Sequence, residues 1–174
     1  MDCVDLIVTV GGASVGKYDL IKQALSSLDL QIIVPRISIR PGKPTWFGSL
    51  GSRPILGLPG NATAAFVCSY VFLSPLIGAL LRASETNTVC IAQLDGELPD
   101  SGPNETYIRS SLHISGDARL IARPLANQDT SLVSAFAAAG ALIHRRAGEG
   151  ATGSGAFVNV ILLRQPEALR PSAL

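Results

Sequence analysis

Apolar, β-branched runs alternate with glycine-rich breaks along the first half of the chain. Residues 5–10 (DLIVTV) predict a short strand, a glycine loop follows, and residues 17–28 (KYDLIKQALSSL) space their apolar positions along one face of a helix. Residues 30–39 are rich in Ile and Val and predict a strand, and 45–50 and 53–58 predict two more around a Gly-Ser turn. Asn61 stands where it can cap the apolar helix that follows. This alternation predicts a parallel or mixed sheet with helices against it.

Residues 62–81 carry no charge and have the length of a bilayer span, so a membrane-associated chain anchored by this segment is one reading. Thr63, Ser69, Tyr70 and Ser74 within the run, and Pro75 in its interior, favour a buried helix kinked or broken before Pro75, with no membrane partner. Beyond about residue 84 the pattern changes to short strands at 89–94, 106–113, 118–124, 141–144 and 156–163, with a short alanine-rich helix at 131–139. A small β-barrel or sandwich follows. The glycine-rich stretch 148–155 (GEGATGSG) reads as a flexible loop and the closing residues as a frayed tail. The expected division is therefore 1–84, 85–165 and a flexible tail, 166–174.

A chain of 174 residues with 47% hydrophobic content is long enough to bury a core. Its formal charge of +1, from 14 basic and 13 acidic residues without a basic run, argues against a nucleic-acid surface and leaves small anions as candidates. Cys3, Cys68 and Cys90 are odd in number and widely spaced, with no CxxC pair. That excludes a disulfide framework or zinc site as the organising feature and suggests reduced core thiols in a cytoplasmic protein. The opening MDCVDLIVTV has acidic residues where an export signal needs positive ones.

Candidate chemistry lies in three loops. In GGASVGKYD, the glycines Gly11, Gly12 and Gly16 allow backbone N–H groups close to an anion, Ser14 adds a hydroxyl, and the next helix turns its positive end towards it. Asp19 sits in the first helical turn, where it suits the helix dipole, a divalent metal or a ligand hydroxyl. A tight turn with an acidic first-turn residue accounts for the same residues, and both readings stand. In RPGKP, Pro41 and Pro44 stiffen a turn bearing Arg40 and Lys43, two cations suited to a phosphate or oxyanion, or simply solvated at the surface. In LPGN, Gly60 belongs to a turn and Asn61 to a cap, a sufficient structural role in itself. His113 and His144 lie apart without metal-ligand spacing and read as structural or surface residues.

Taken in order, DLIVTVGGASVGKYD, IRPGKPTWFGSLG and ILGLPGN before an apolar helix closely resemble the molybdopterin molybdenumtransferase family, related to the C-terminal domain of gephyrin. The resemblance continues through YIRSSL, ANQDTSLVSAFAAAGALI and FVNVILL, about residues 2 to 165. It implies a truncated molybdopterin-binding-type three-layer α/β domain with a mostly parallel sheet, followed by a small C-terminal β-barrel-like domain. It implies a reaction too: adenylylated molybdopterin and molybdate give molybdenum cofactor and AMP, with a divalent cation, usually Mg2+. By motif, Gly11, Gly12, Ser14 and Gly16 would cradle the pterin phosphate or pyrophosphate, and Asp19 would serve the metal or the catalytic step. Arg40 and Lys43, with Pro44, would hold molybdate or phosphate oxygens, and Gly60 and Asn61 complete the substrate-binding set. Arg109 and Thr130 match family positions that contact molybdate, Thr130 standing where the family usually has serine.

The family usually follows LPGN with proline and a small hydroxyl residue, whereas Ala62, Thr63 and Ala64 follow here. Its members also carry two further domains and an opening strand and helix with a TGD-type loop, so the resemblance implies the C-terminal half of such an enzyme. The expectation is a chain active only when complemented, forming a homodimer or taking a partner that supplies the other half. A non-catalytic fragment that binds molybdopterin or molybdate is the alternative.

Overall fold

A computed structural model of the chain describes residues 4–11, 20–83, 87–129 and 136–168. The chain divides into two units, residues 1–86 and 87–174.

In the first unit, β1 (Ile7–Val10), α1 (Leu20–Ser26), β2 (Leu30–Val34), β3 (Ile39–Arg40), β4 (Trp46–Leu50) and β5 (Arg53–Leu58) are followed by the long apolar helix. The main sheet has the order β1-β5-β4-β2. Only β1 and β5 run parallel; β5 with β4 and β4 with β2 are antiparallel. The described sheet is thus mixed, which corrects the expectation of a mostly parallel one. The cause is local: Gly51 (φ 58°) and Ser52 join β4 to β5 in a turn too short for a crossover. The expected strand over 30–39 is also divided, because β2 ends just before Pro35, which has no N–H to give a ladder.

One sheet face buries Trp46 and Ile55 against Ile7, Ile21, Leu25 and Leu30. Beyond β5, α2 (Ala62–Cys68) buries Thr63, Ala64, Ala65, Val67 and Cys68. A π-helical segment (Ser69–Leu73) and α3 (Ser74–Leu81) continue the same rod. Pro75 does not break it: the Ser74 N–H bonds back to the Ser69 carbonyl, five residues away, and this wider turn absorbs the proline. The rod ends at Arg82 in a left-handed conformation (φ 54°). Its twenty residues are long and apolar enough to cross a membrane, yet most of α2 is buried in the first unit, whereas α3 buries only Gly78.

The second unit is a closed barrel. β6 (Val89–Leu94), β7 (Glu105–Ile114), β8 (Leu120–Pro124), β9 (Ala141–Arg145) and β10 (Phe157–Leu162) pair in the ring β7-β8-β6-β10-β9 and back to β7. Closure removes exposed strand edges. Its interior holds Ala92, Leu94, Leu98, Leu112, Ala122, Ala141, Ile143, Val158 and Val160. Two expectations are corrected here. Residues 148–155 are pinned rather than flexible: the amides of Gly148, Thr152 and Gly155 donate to the carbonyls of Gly102, Leu98 and Leu94. Arg145, 2% exposed, reaches the Glu149 carboxylate (2.7 Å) and the carbonyls of Pro99, Glu149 and Gly150. The tail is not free from its start either, since β11 (Glu167–Ala168) pairs in parallel with His113 and Ile114; residues 169–174 lie outside the described residues.

Candidate functional site

Parallel pairing of β1 with β5 sets Val10 opposite Leu58, so the loops that leave the two strands start side by side. The Gly11 amide donates to the Leu58 carbonyl (3.1 Å) and Gly11 turns with φ 87°. A Cβ on Gly60 would lie 3.3 Å from the Gly11 Cα, so the two loops touch glycine to glycine. A backbone pair without side chains lets a ligand approach the main chain closely. One residue on, Asn61 caps α2: its side-chain oxygen accepts from the Ala64 amide (3.0 Å), as expected.

The third loop reaches the same end of the sheet because β4 runs antiparallel to β5. Trp46 stands opposite Gly57, so Thr45 and the loop before it lie beside the C-terminal end of β5. Within that loop the Ile37 amide donates to the Lys43 carbonyl (3.2 Å), and Thr45 gives both its amide (2.9 Å) and its hydroxyl (2.7 Å) to the Gly42 carbonyl. The Arg40–Pro41 peptide is cis. Gly42 has φ 123°, and a Cβ there would meet the Cys68 Sγ at 2.4 Å, so the loop lies directly on α2. Thr45 Oγ1 is 3.1 Å from that sulfur. Burial pushes the Cys68 thiol up to about 11, against a smaller downward pull from Thr45.

Arg40 and Lys43 are exposed, Pro44 is half-buried, and among the described residues neither cation is ion-paired. The first unit therefore brings together Gly11, Arg40, Lys43, Pro44, Gly60 and Asn61. Gly12, Ser14, Gly16 and Asp19 lie outside the described residues, as does Thr130. Sequence reasoning passed over Thr45 and Trp46 and read Cys68 only as a core thiol, which it is. A hydroxyl directly after the second proline of RPGKP was the available signal for Thr45. For Trp46 it was Gly57 inside a strand, the usual mark of a close approach: a Cβ at Gly57 would lie 1.8 Å from the indole Nε1 of Trp46. That Nε1 and the Thr9 Oγ1 are buried without partners among the described residues, and both residues stand opposite Gly57.

In the second unit Arg109 lies on β7 and is 2% exposed. Its Nη2 donates to the carbonyls of Asn127 (3.4 Å) and Asp129 (3.1 Å). The Gln128 side chain brackets the same residue, accepting from its amide and donating to its carbonyl. Nη1 is buried with no partner among the described residues. Burial draws the guanidinium below its ordinary value, and Asp129 opposes the shift. Neither histidine suggests a metal centre: His144 stacks on Tyr107 (4.9 Å between centroids) and meets Glu105 (3.2 Å), while His113 is half-buried on β7. Among the described residues no three His, Cys, Asp or Glu side chains gather as a ligand set.

An α/β unit with Gly11, Gly60 and the cation loop at one sheet end, joined to a closed five-stranded barrel, defines a two-unit protein with a candidate anion site in its first unit. Known proteins narrow this. Residues 1–79 match the family described as "Probable molybdopterin binding domain", and residues 92–163 match "MoeA C-terminal region (domain IV)". The chain is 29% identical over 166 residues to the molybdopterin molybdenumtransferase of Bacillus subtilis, covering 95% of this chain and 38% of that protein. It is 39% identical over 116 residues to the enzyme of the same name from Nostoc, covering 63% and 26%. A crystal structure of the molybdopterin biosynthesis MoeA protein from Pyrococcus horikoshii shares the fold, with a TM-score of 0.73 at 24% identity over 94% of this chain and 38% of that one. The chain belongs to the molybdopterin molybdenumtransferase family. It spans about two fifths of the length of the Bacillus relative.

Proposed function

We propose that the chain carries the anion-binding part of a molybdopterin molybdenumtransferase, which inserts molybdate into adenylylated molybdopterin and releases AMP. The observation that carries this reading is the meeting of three loops at one sheet end, with Arg40 and Lys43 exposed and without ion pairs among the described residues. Molybdate is a tetrahedral dianion, and two cations on a proline-stiffened loop suit its oxygens. The bare backbone of Gly11 and Gly60 suits the close approach of a phosphate. In the barrel unit, Arg109 Nη1 is buried without a partner among the described residues, a separate candidate donor for an oxyanion. These groups would act by fixing the oxyanions and neutralising charge as the phosphoanhydride bond breaks, without a covalent nucleophile on the protein.

Magnesium belongs to the reaction the family resemblance implies. The described residues offer no ligand set for it, and Asp19 lies outside them. Activity is proposed to need the rest of the family polypeptide or a second copy. Val10, Ile33 and Leu81 are among the large apolar side chains left exposed in the first unit, and light scattering across concentrations would reveal association.

Calorimetric titration with adenylylated molybdopterin, with and without molybdate and magnesium, followed by an AMP assay, tests the proposal. Binding with AMP release supports the transferase. Binding abolished by Lys43→Ala but without AMP release supports a non-catalytic binding unit. Absence of binding to either ligand refutes both.

A further inference from the structure

The Arg40–Pro44 loop presents its cations without ion pairs among the described residues, so something else must hold its shape. The groups that do so lie beneath it. Thr45 and Cys68 are both fully buried, one entering β4 and the other ending α2. A hydroxyl has one proton to give, and the 2.7 Å contact assigns it to the Gly42 carbonyl. The same Oγ1 lies 3.1 Å from the Cys68 Sγ, which holds the hydroxyl from its other side. Gly42 has no Cβ because the sulfur occupies its place, so the loop cannot settle lower without a collision.

From this geometry we infer that Thr45 and Cys68 form a buried latch that sets the height and shape of the Arg40–Pro44 loop and so positions Lys43 and Arg40 for a tetrahedral oxyanion. The inference rests on the anion-site reading above and adds two positioning residues to it. Neither side chain touches the anion. Their effect runs through the Gly42 carbonyl and the sulfur that supports Gly42, so a change at either should alter loop order before it alters the rest of the unit.

The test uses the full chain, sodium molybdate as the probe and two readouts. Hydrogen exchange of the Ile37 amide, which bonds to the Lys43 carbonyl, reports loop order; calorimetry reports molybdate affinity. Thr45→Val removes the hydroxyl while keeping the shape and is expected to speed Ile37 exchange and weaken molybdate binding, each about tenfold, the scale of one lost hydrogen bond. Thr45→Ser restores both to near the parent values. Cys68→Ala acts in the same direction as Thr45→Val and serves where that variant does not fold. A merely structural role would lower the urea midpoint without separating Thr45→Ser from Thr45→Val in molybdate affinity. A folded Thr45→Val with unchanged Ile37 exchange overturns the latch, and faster exchange with unchanged molybdate affinity overturns its positioning role. If the parent chain takes no molybdate and Lys43→Ala changes nothing, the functional reading fails and the positioning role falls with it. Parent binding that Thr45→Val leaves untouched rejects the latch alone.

Discussion

Gly57→Ala is the smallest change expected to dismantle the first unit. The added methyl would lie 1.8 Å from Nε1 of Trp46, 2.1 Å from Cε2 and 2.5 Å from Cδ1. Trp46 is 0% exposed, its ring is rigid, and it packs with Ile55 in the core beside α1. Ordinary overpacking costs about 1–3 kcal/mol when neighbours can shift. Here the obstacle is a ring fixed on one side by a strand, so the indole must leave its site. Expelling it forfeits a contribution of the size lost when a buried Trp is truncated, about 3–5 kcal/mol. Domains are commonly stable by only about 5–15 kcal/mol, so much of the margin goes. Trp46 is the only tryptophan in the chain, so its fluorescence reports the first unit alone. Gly57→Ala should shift the emission to the red and lower the urea midpoint by about 1 M or more, given slopes of about 1–3 kcal/mol per molar. A variant with the parent emission maximum and midpoint would refute the reasoning, because it would mean that β4 and β5 can separate at no cost.

Arg145→Met should destabilise the barrel unit by about 2–3 kcal/mol, since it leaves the carbonyls of Pro99 and Gly150 without their donor while the exposed Glu149 carboxylate stays solvated; the barrel's urea transition checks it. Asn61→Ala removes the cap of α2 and should cost about 1 kcal/mol in the Trp46-monitored midpoint, whereas Asn61→Asp should preserve most of it. Burial raises the Glu149 carboxyl, but the hydrogen bonds from the Arg145 side chain and the Arg146 backbone together with the charge of Arg145 outweigh it and leave the group below the usual carboxylate range. Its contribution is therefore present above the unfolded carboxylate value and lost as pH falls through the lower folded value. The protection factor of the Ser101 amide, which donates to the Glu149 carbonyl, should fall in acid once the intrinsic pH dependence of exchange is divided out, and should stay constant there in Glu149→Gln.

Elements whose causes are local were legible from the sequence. The strand β1, the helix α1, the tight β4–β5 turn and the Asn61 cap each depend on a few adjacent residues, and each appears close to where it was expected. What escaped depends on distant partners. GEGATGSG looks flexible by composition, but Arg145 and residues 94–102 hold it, and nothing in its own eight residues carries that information. Pro75 is a strong local breaker, yet a π turn over Ser69–Leu73 lets the rod continue. Two of the three site loops were recognisable by their glycines and the third by its cations, whereas the side chains beneath them, Thr45 and Cys68, are 23 positions apart and resemble any other small core pair.

The support for the cation loop has a consequence for how it would respond to salt. Loops that present Arg and Lys are often held by carboxylates, and an incoming anion then competes with the pairs that give the loop its form. Here the main-chain carbonyls of Gly42 and Lys43, a hydroxyl and a thiol give the loop its shape, and all of these are neutral. Ionic strength should therefore act on the two functions of the loop separately. Screening over about 8–10 Å at physiological salt weakens the attraction of Arg40 and Lys43 for a dianion, and leaves short neutral hydrogen bonds under Gly42 almost unchanged. Molybdate affinity should then fall with added potassium chloride while Ile37 exchange stays constant. A loop held by hidden ion pairs would loosen as salt rises, so exchange that follows affinity would place the charge in the support rather than in the site.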